Sequence, residues 1–269
     1  MRHPLQALAV ASLLLLSVHA QAAAADWSLP SNPESVVVEL QFVAPAAEAS
    51  SVASTDAGQS TLVLRLRRDG WYTVSEQAGK PLVGQLSEAE VQQLVSELVE
   101  KQRGLELKSA TLSSQIERTG KATGKEWRIR NADTTVVRMN LTGGSHEIRC
   151  CAPELLRNRF PQVTDLNRVC AIQRRLENLV AMARIGGKLE AERLAALATA
   201  ELQRQNGPAV TITAGDLLHV RGTAGDLRQS QFVVEPSLRG EPGTGVLVSV
   251  LETPGRSPQI SLTILNSTL

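Results

Sequence analysis

Residues 61–75 read TLVLRLRRDGWYTVS, and the alternation in this stretch decides the fold. Leu62, Leu64 and Leu66 fall on one side of an extended chain and Arg65 and Arg67 on the other, because successive strand side chains point to opposite faces. Asp69-Gly70 is a tight-turn pair, and beyond it Tyr72 and Val74 resume the two-residue period. The segment is predicted as a β-hairpin with one apolar face and one basic face.

Working outward, Ser35 to Val43 alternates in the same way, with Val36, Val38, Leu40 and Phe42 together. Ala44 to Ser60 has no period and reads as a loop. Downstream, Gly84 to Gln102 carries one apolar stripe at helical spacing, opened by the capping box of Ser87 and Glu90. Strands are then expected at Leu112 to Arg118, Glu126 to Arg130, Thr134 to Leu141 and His146 to Cys150. Their turns fall at Gly120 to Gly124, Asn131 to Asp133 and Gly143-Gly144. A second helix is expected from Thr164 to Ile185, stopped by Gly186-Gly187. This order predicts an α+β domain over residues 34–187, an antiparallel sheet with helices on one face.

Residues 188–269 read as a connecting helix, Leu189 to Gln205, and a smaller α+β unit. That unit opens with a short helix at Thr213 and Asp216. Three strands follow, near Gln231 to Glu235, Val246 to Glu252 and Gln259 to Leu265.

Residues 1–25 have the form of a secretory signal peptide. Arg2 gives the positive end, Leu5 to Val18 the apolar core, and Ala22 to Ala25 the small-residue cleavage region. The expected product is periplasmic or extracellular, with no membrane insertion after cleavage, since about 20 apolar residues are needed to span a bilayer. Removal of the leader takes Arg2 and no acid, leaving 27 basic against 27 acidic residues. That balance gives no global attraction to nucleic acid, and 3% aromatic content excludes a broad stacking platform.

Three cysteines, Cys150, Cys151 and Cys170, raise the question of a disulfide in an oxidising compartment. Adjacent residues bridge poorly, and Cys150 has the parity of the buried face, so Cys151–Cys170 is the expected pair. It would close a loop of about 20 residues, a contribution of roughly 3 kcal/mol. Three reduced thiols in the core is the alternative.

Strand parity also supplies the candidate site. With the apolar residues inward, Arg65, Arg67, Trp71, Arg128, Arg130, Arg138 and Arg149 share the opposite face, with Glu126 and Glu147 as neutralising acids. Guanidinium groups bind carboxylates bidentately, so this face is expected to dock an anionic or protein partner. The bland alternative is a solvated sheet face. Arg118 to Glu126 imitates a phosphate loop but has Thr119 where Gly is required and Glu126 where Ser or Thr is required. A basic hairpin tip is expected there. After the leader only His146 and His219 remain, no C-x-x-C or H-E-x-x-H occurs, and no metal or cofactor is expected. Asn140 and Asn266 lie in N-x-[ST] sequons.

The order LRLRRDGWYTV, LSEAEVQQLVSELV, further strands, PELLRNRFPQV and LENLV, from Leu62 to Val180, resembles emfourin-type inhibitors of thermolysin-like proteases. It resembles secreted bacterial proteins of unassigned role as well. The likeness is one of topology over about half the chain. Arg67-Arg68-Asp69-Gly70 stands where those inhibitors tend to have Arg-x-Gly-Gly. The resemblance implies inhibition of a secreted protease, while the residues themselves indicate an exported, non-catalytic binding protein. An enzyme with a dispersed site is the third class.

Overall fold

The computed structural model describes residues 27–45, 60–76, 79–205, 210–222, 226–235 and 245–265. The signal region and Asn266 lie outside the described residues.

The protein is α+β. One antiparallel sheet contains β1 (Val36–Val43), β2 (Ser60–Arg67), β3 (Trp71–Val74), β4 (Leu82–Gln85), β5 (Thr134–Leu141) and β6 (Gly144–Cys151). Their order is β4-β3-β2-β1-β5-β6. A second antiparallel sheet contains β7 (Leu217–Arg221), β8 (Arg228–Val234), β9 (Gly245–Glu252) and β10 (Gln259–Leu265), in the order β10-β9-β8-β7. The helices are α1 (Glu88–Ser96), α2 (Ser109–Thr123), α3 (Pro153–Arg159), α4 (Thr164–Ile185) and α5 (Lys188–Arg204).

The hairpin β2–β3 forms as its alternation predicts, with Leu64, Leu66, Tyr72 and Val74 buried. Gly70 turns it with φ near 86°, and a Cβ there would stand 1.9 Å from the Leu86 carbonyl oxygen. Leu86 N–H donates to the Gly70 carbonyl, so the turn fixes where α1 starts. Ser87 and Glu90 close the expected capping box. The helix starts later than expected because Leu82–Gln85 pairs with β3 as an edge strand, and it continues beyond Ser96 as a π turn to Lys101, near its expected end.

The largest departure concerns residues 109–124. Leu112, Ile116 and Gly120 are buried at intervals of four, so the segment is α2, not a strand and hairpin tip. Gly124, with φ near 67°, ends it. The phosphate-loop imitation is therefore the end of a helix. Residues 125–129 form no regular element and pair with no strand, and Trp127 packs on Gly120, where a Cβ would meet its ring at 2.8 Å. A second departure comes from irregularities between β1 and β2, which bring Val37 inward beside Val38 and place Val63, not Leu62, against the core.

α4 lies between the sheets. Leu166, Val169, Ile172, Leu176, Leu179 and Val180 are all buried, and residues all round the helix are covered. Such a pattern marks a helix packed on more than one side. It packs on β2 and β4 of the first sheet and on β7 of the second. Asn178 is buried on it. Its amide donates to the Ala214 and Leu217 carbonyls at 2.8 Å each, and its oxygen accepts from Arg175 at 3.1 Å. The second sheet has four strands rather than three. β7 was not legible because a register shift between Leu217 and His219 breaks its period. Thr213 and Asp216 cap a single 3-10 turn leading into it.

The expected Cys151–Cys170 bridge is not formed: all three cysteines are free thiols. Cys151 has the parity of the face opposite the helices, and its thiol donates weakly to the Ile129 and Ala132 carbonyls. Cys170 is buried on α4, and Cys150 is buried in the core cluster. Burial pushes the Cys150 thiol up to about 12 and raises Cys170 further. Both thiols are unreactive in the folded protein for lack of thiolate.

Two outcomes are expected. Asn178→Ala removes the side-chain donor from the Leu217 carbonyl and leaves the Ala214 carbonyl with the Leu217 N–H alone, and should lower stability by about 1–3 kcal/mol in urea unfolding. Thiol titration should count three groups after denaturation, with Cys150 and Cys170 protected before it; a count of one would mean a bridge exists.

Candidate functional site

The face of the first sheet turned away from α1 and α4 carries one in-register row across all six strands. From edge to edge the partners are Val83, Thr73, Arg65, Glu39, Arg138 and Glu147. Each is held at its place by the inward neighbours of its own strand, which sit in the core. The row spans five inter-strand spacings, about 24 Å.

The charged members alternate in sign. Arg65 Nε donates to Glu39 at 3.0 Å, and Arg138 stands 3.9 Å from the other Glu39 oxygen. Arg138 Nε donates to Glu147 at 2.6 Å, and Arg149, two residues along β6, donates to the second Glu147 oxygen at 2.5 Å. Each carboxylate thus bridges two guanidinium groups. The terminal arginines, Arg65 and Arg149, are engaged at one end only and are each 49% exposed. Exposed pairs of this kind contribute little stability singly, at most about 1 kcal/mol. Arg67 lies beyond Arg65 and pairs with Asp69 at 2.5 Å and Glu34 at 3.7 Å. Trp71, beside it, is 45% exposed, and Val83 is 55% exposed.

Parity therefore places Arg65, Arg67, Trp71, Arg138 and Arg149 together. It misplaces Arg128 and Arg130, which leave the sheet because α2 takes up the chain before them and residues 125–129 do not pair. Arg128 instead lies over the Trp127 ring, 6.0 Å from its centre, with Lys121 at 5.8 Å. Glu126 is absent from the row as well, its carbonyl accepting from Arg159. Glu39 takes the neutralising place. Its position between Val38 and Leu40 in an alternating strand was a signal the sequence reading passed over. Val83 and Gln85 were missed with β4.

The hydrogen bond from Arg149 holds the Glu147 carboxyl below the usual carboxylate range, helped by Arg138 and opposed by partial burial. Among the described residues no group of His, Cys, Asp and Glu is placed to hold a metal ion. No described helix is long and apolar enough to cross a membrane. Comparison with known proteins found no matching family model, no matching curated protein and no matching solved structure.

Because the folded Glu147 carboxyl titrates below its unfolded value, its contribution to stability is complete above the ordinary carboxylate range. It is lost as pH falls through the folded value. Carboxyl NMR should show the Glu147 midpoint rising toward the ordinary range in Arg149→Ala. An unchanged midpoint would remove Arg149 from the ladder.

Proposed function

We propose that this is an exported, non-catalytic binding protein whose outer sheet face docks an acidic segment of a partner protein. The observation that carries the reading is the row from Val83 to Glu147. It is built on paired strands and holds two arginines and two glutamates, to which Arg149 beside it adds a third arginine. The internal pairs spread the positive charge to the two ends, where Arg65 and Arg149 keep donors turned to solvent. A free anion gains little from a face whose central arginine, Arg138, is already held between two acids. A protein segment gains more, because Trp71 and Val83 add exposed apolar area beside Arg65 and Arg67. Aromatic and arginine side chains in such proximity are the usual anchors of protein interfaces.

Export rests on the leader-like residues 1–25. The binding reading is tested with an immobilised poly-glutamate peptide carrying a central leucine, at low salt. The protein should be retained, and Arg65→Ala with Arg149→Ala should weaken retention about tenfold. Arg128→Ala with Arg130→Ala, outside the row, should leave it unchanged. Loss of binding in the second pair alone, or equal retention of all three proteins, would overturn the assignment.

A further inference from the structure

A cavity of about 470 Å³ lies on the opposite side of the sheet, where β4, α1, α4 and the start of α5 meet. Its apolar wall is made by Leu86, Leu94, Leu179 and Met182, and its mouth by Glu90 and Lys188. A volume of this size is within the range of small-molecule sites, about 300–1,000 Å³.

Three observations give the cavity a polarity. Tyr72 lines it and is only 4% exposed, yet its hydroxyl has no hydrogen-bond partner among the described residues. The oxygen is not sealed off: it borders the cavity, where a ligand can reach it. β4 makes room for that phenol with glycine: a Cβ at Gly84 would come within 2.1 Å of Tyr72 Cζ and 2.3 Å of its oxygen. The ring tip is therefore fitted against β4 backbone, with the hydroxyl at the cavity wall.

The second observation is the start of α5. Gly187 and Lys188 line the cavity, and Gly187, the residue at the cap position of this 17-residue helix, offers no side chain to the first-turn N–H groups. Uncapped first-turn donors and the helix dipole favour an anion. The third is Lys188 at the mouth, which pairs with Glu90, while Arg175 on the lining is held by Glu97 and Asn178 at 3.1 Å each. Glu90 is already satisfied. One oxygen accepts from Lys188 at 2.8 Å, the other from the Ser87 backbone and hydroxyl at 2.9 Å each. These partners keep it ionised down to about 2.

We propose that this cavity binds a small molecule with an apolar body and a terminal carboxylate. The body lies against Leu94, Leu179 and Met182. The carboxylate accepts from the Tyr72 hydroxyl and faces the start of α5 and Lys188. The site shares Val83 of β4 with the outer row but none of that row's charged side chains.

Calorimetric titration of the purified protein with decanoate, at submicellar concentration, tests it. One saturable site is expected, with decylamine about tenfold weaker. Tyr72→Phe keeps the ring and removes the donor, and should weaken decanoate about fivefold at an unchanged urea midpoint. Ala183→Leu, which fills the cavity from α4, should remove binding. The proposal is overturned by absence of saturable binding, by tighter binding of decylamine than decanoate, or by decanoate affinity equal to wild type in both variants. If Ala183→Leu does not fold, Tyr72→Phe alone decides between these outcomes.

Discussion

The structure depends on burying one helix on more than one side. α4 has no continuous solvent face over most of its length, so each polar side chain it carries must meet a partner inside the protein. Asn178 does so by tying the approach to β7 onto the helix. Gln173 does so on the other side, accepting from Thr135 of β5 at 3.0 Å and donating to Glu177 at 2.8 Å. Burial raises the Glu177 carboxyl above the usual range, so this chain of three polar groups is held among apolar neighbours. An apolar helix would pack between the sheets in several rotations. These hydrogen bonds select one.

The ends of the arrangement are fixed by ions rather than amides. Near α3, Arg157 and Arg174 both pair with Glu154 and Glu235, joining two helices to the end of β8. Around the α4–α5 turn, Arg228 of β8 is 9% exposed and pairs with Glu190 and Glu252, while its third nitrogen donates to the Ile185 carbonyl at the end of α4. Arg193 closes this second cluster on the same two acids. Desolvation offsets most of the Coulomb attraction in such clusters, so their net contribution to stability is small. Their effect is on geometry. An uncompensated buried charge costs several kcal/mol, and only one placement of the second sheet leaves none.

Both proposed surfaces follow from this plan. Since α1 and α4 occupy the same side of the first sheet, the period-two pattern leaves charged residues in register on its other side. Alternating sign along the row keeps neighbouring guanidinium groups from repelling. On the helix side, glycines at 84, 186, 187 and 215 line the cavity, and at Gly186 and Gly187 the space a Cβ would point into is open.

What the sequence revealed was set by which interactions are local. The hairpin at 61–75, the capping box at Ser87 and α4 between Thr164 and Ile185 are written in neighbouring residues, and they were legible. α4's burial on both sides was not, because a stripe reports one covered face and the second sheet lies 30 residues downstream. Parity worked on β5 and β6, whose pairing has no shift, and so placed Arg138 and Arg149. It lost phase at Val37 and at Leu62, where β1 and β2 slip against each other. It failed outright for Arg128 and Arg130, because Leu112, Ile116 and Gly120 support a helix whose last turn needs Trp127 to cover it. A face inferred from alternation is therefore only as reliable as the pairing of the strand that carries each residue. Of the seven side chains assigned to the face, the two that left it are those whose segment hydrogen-bonds to no neighbouring strand.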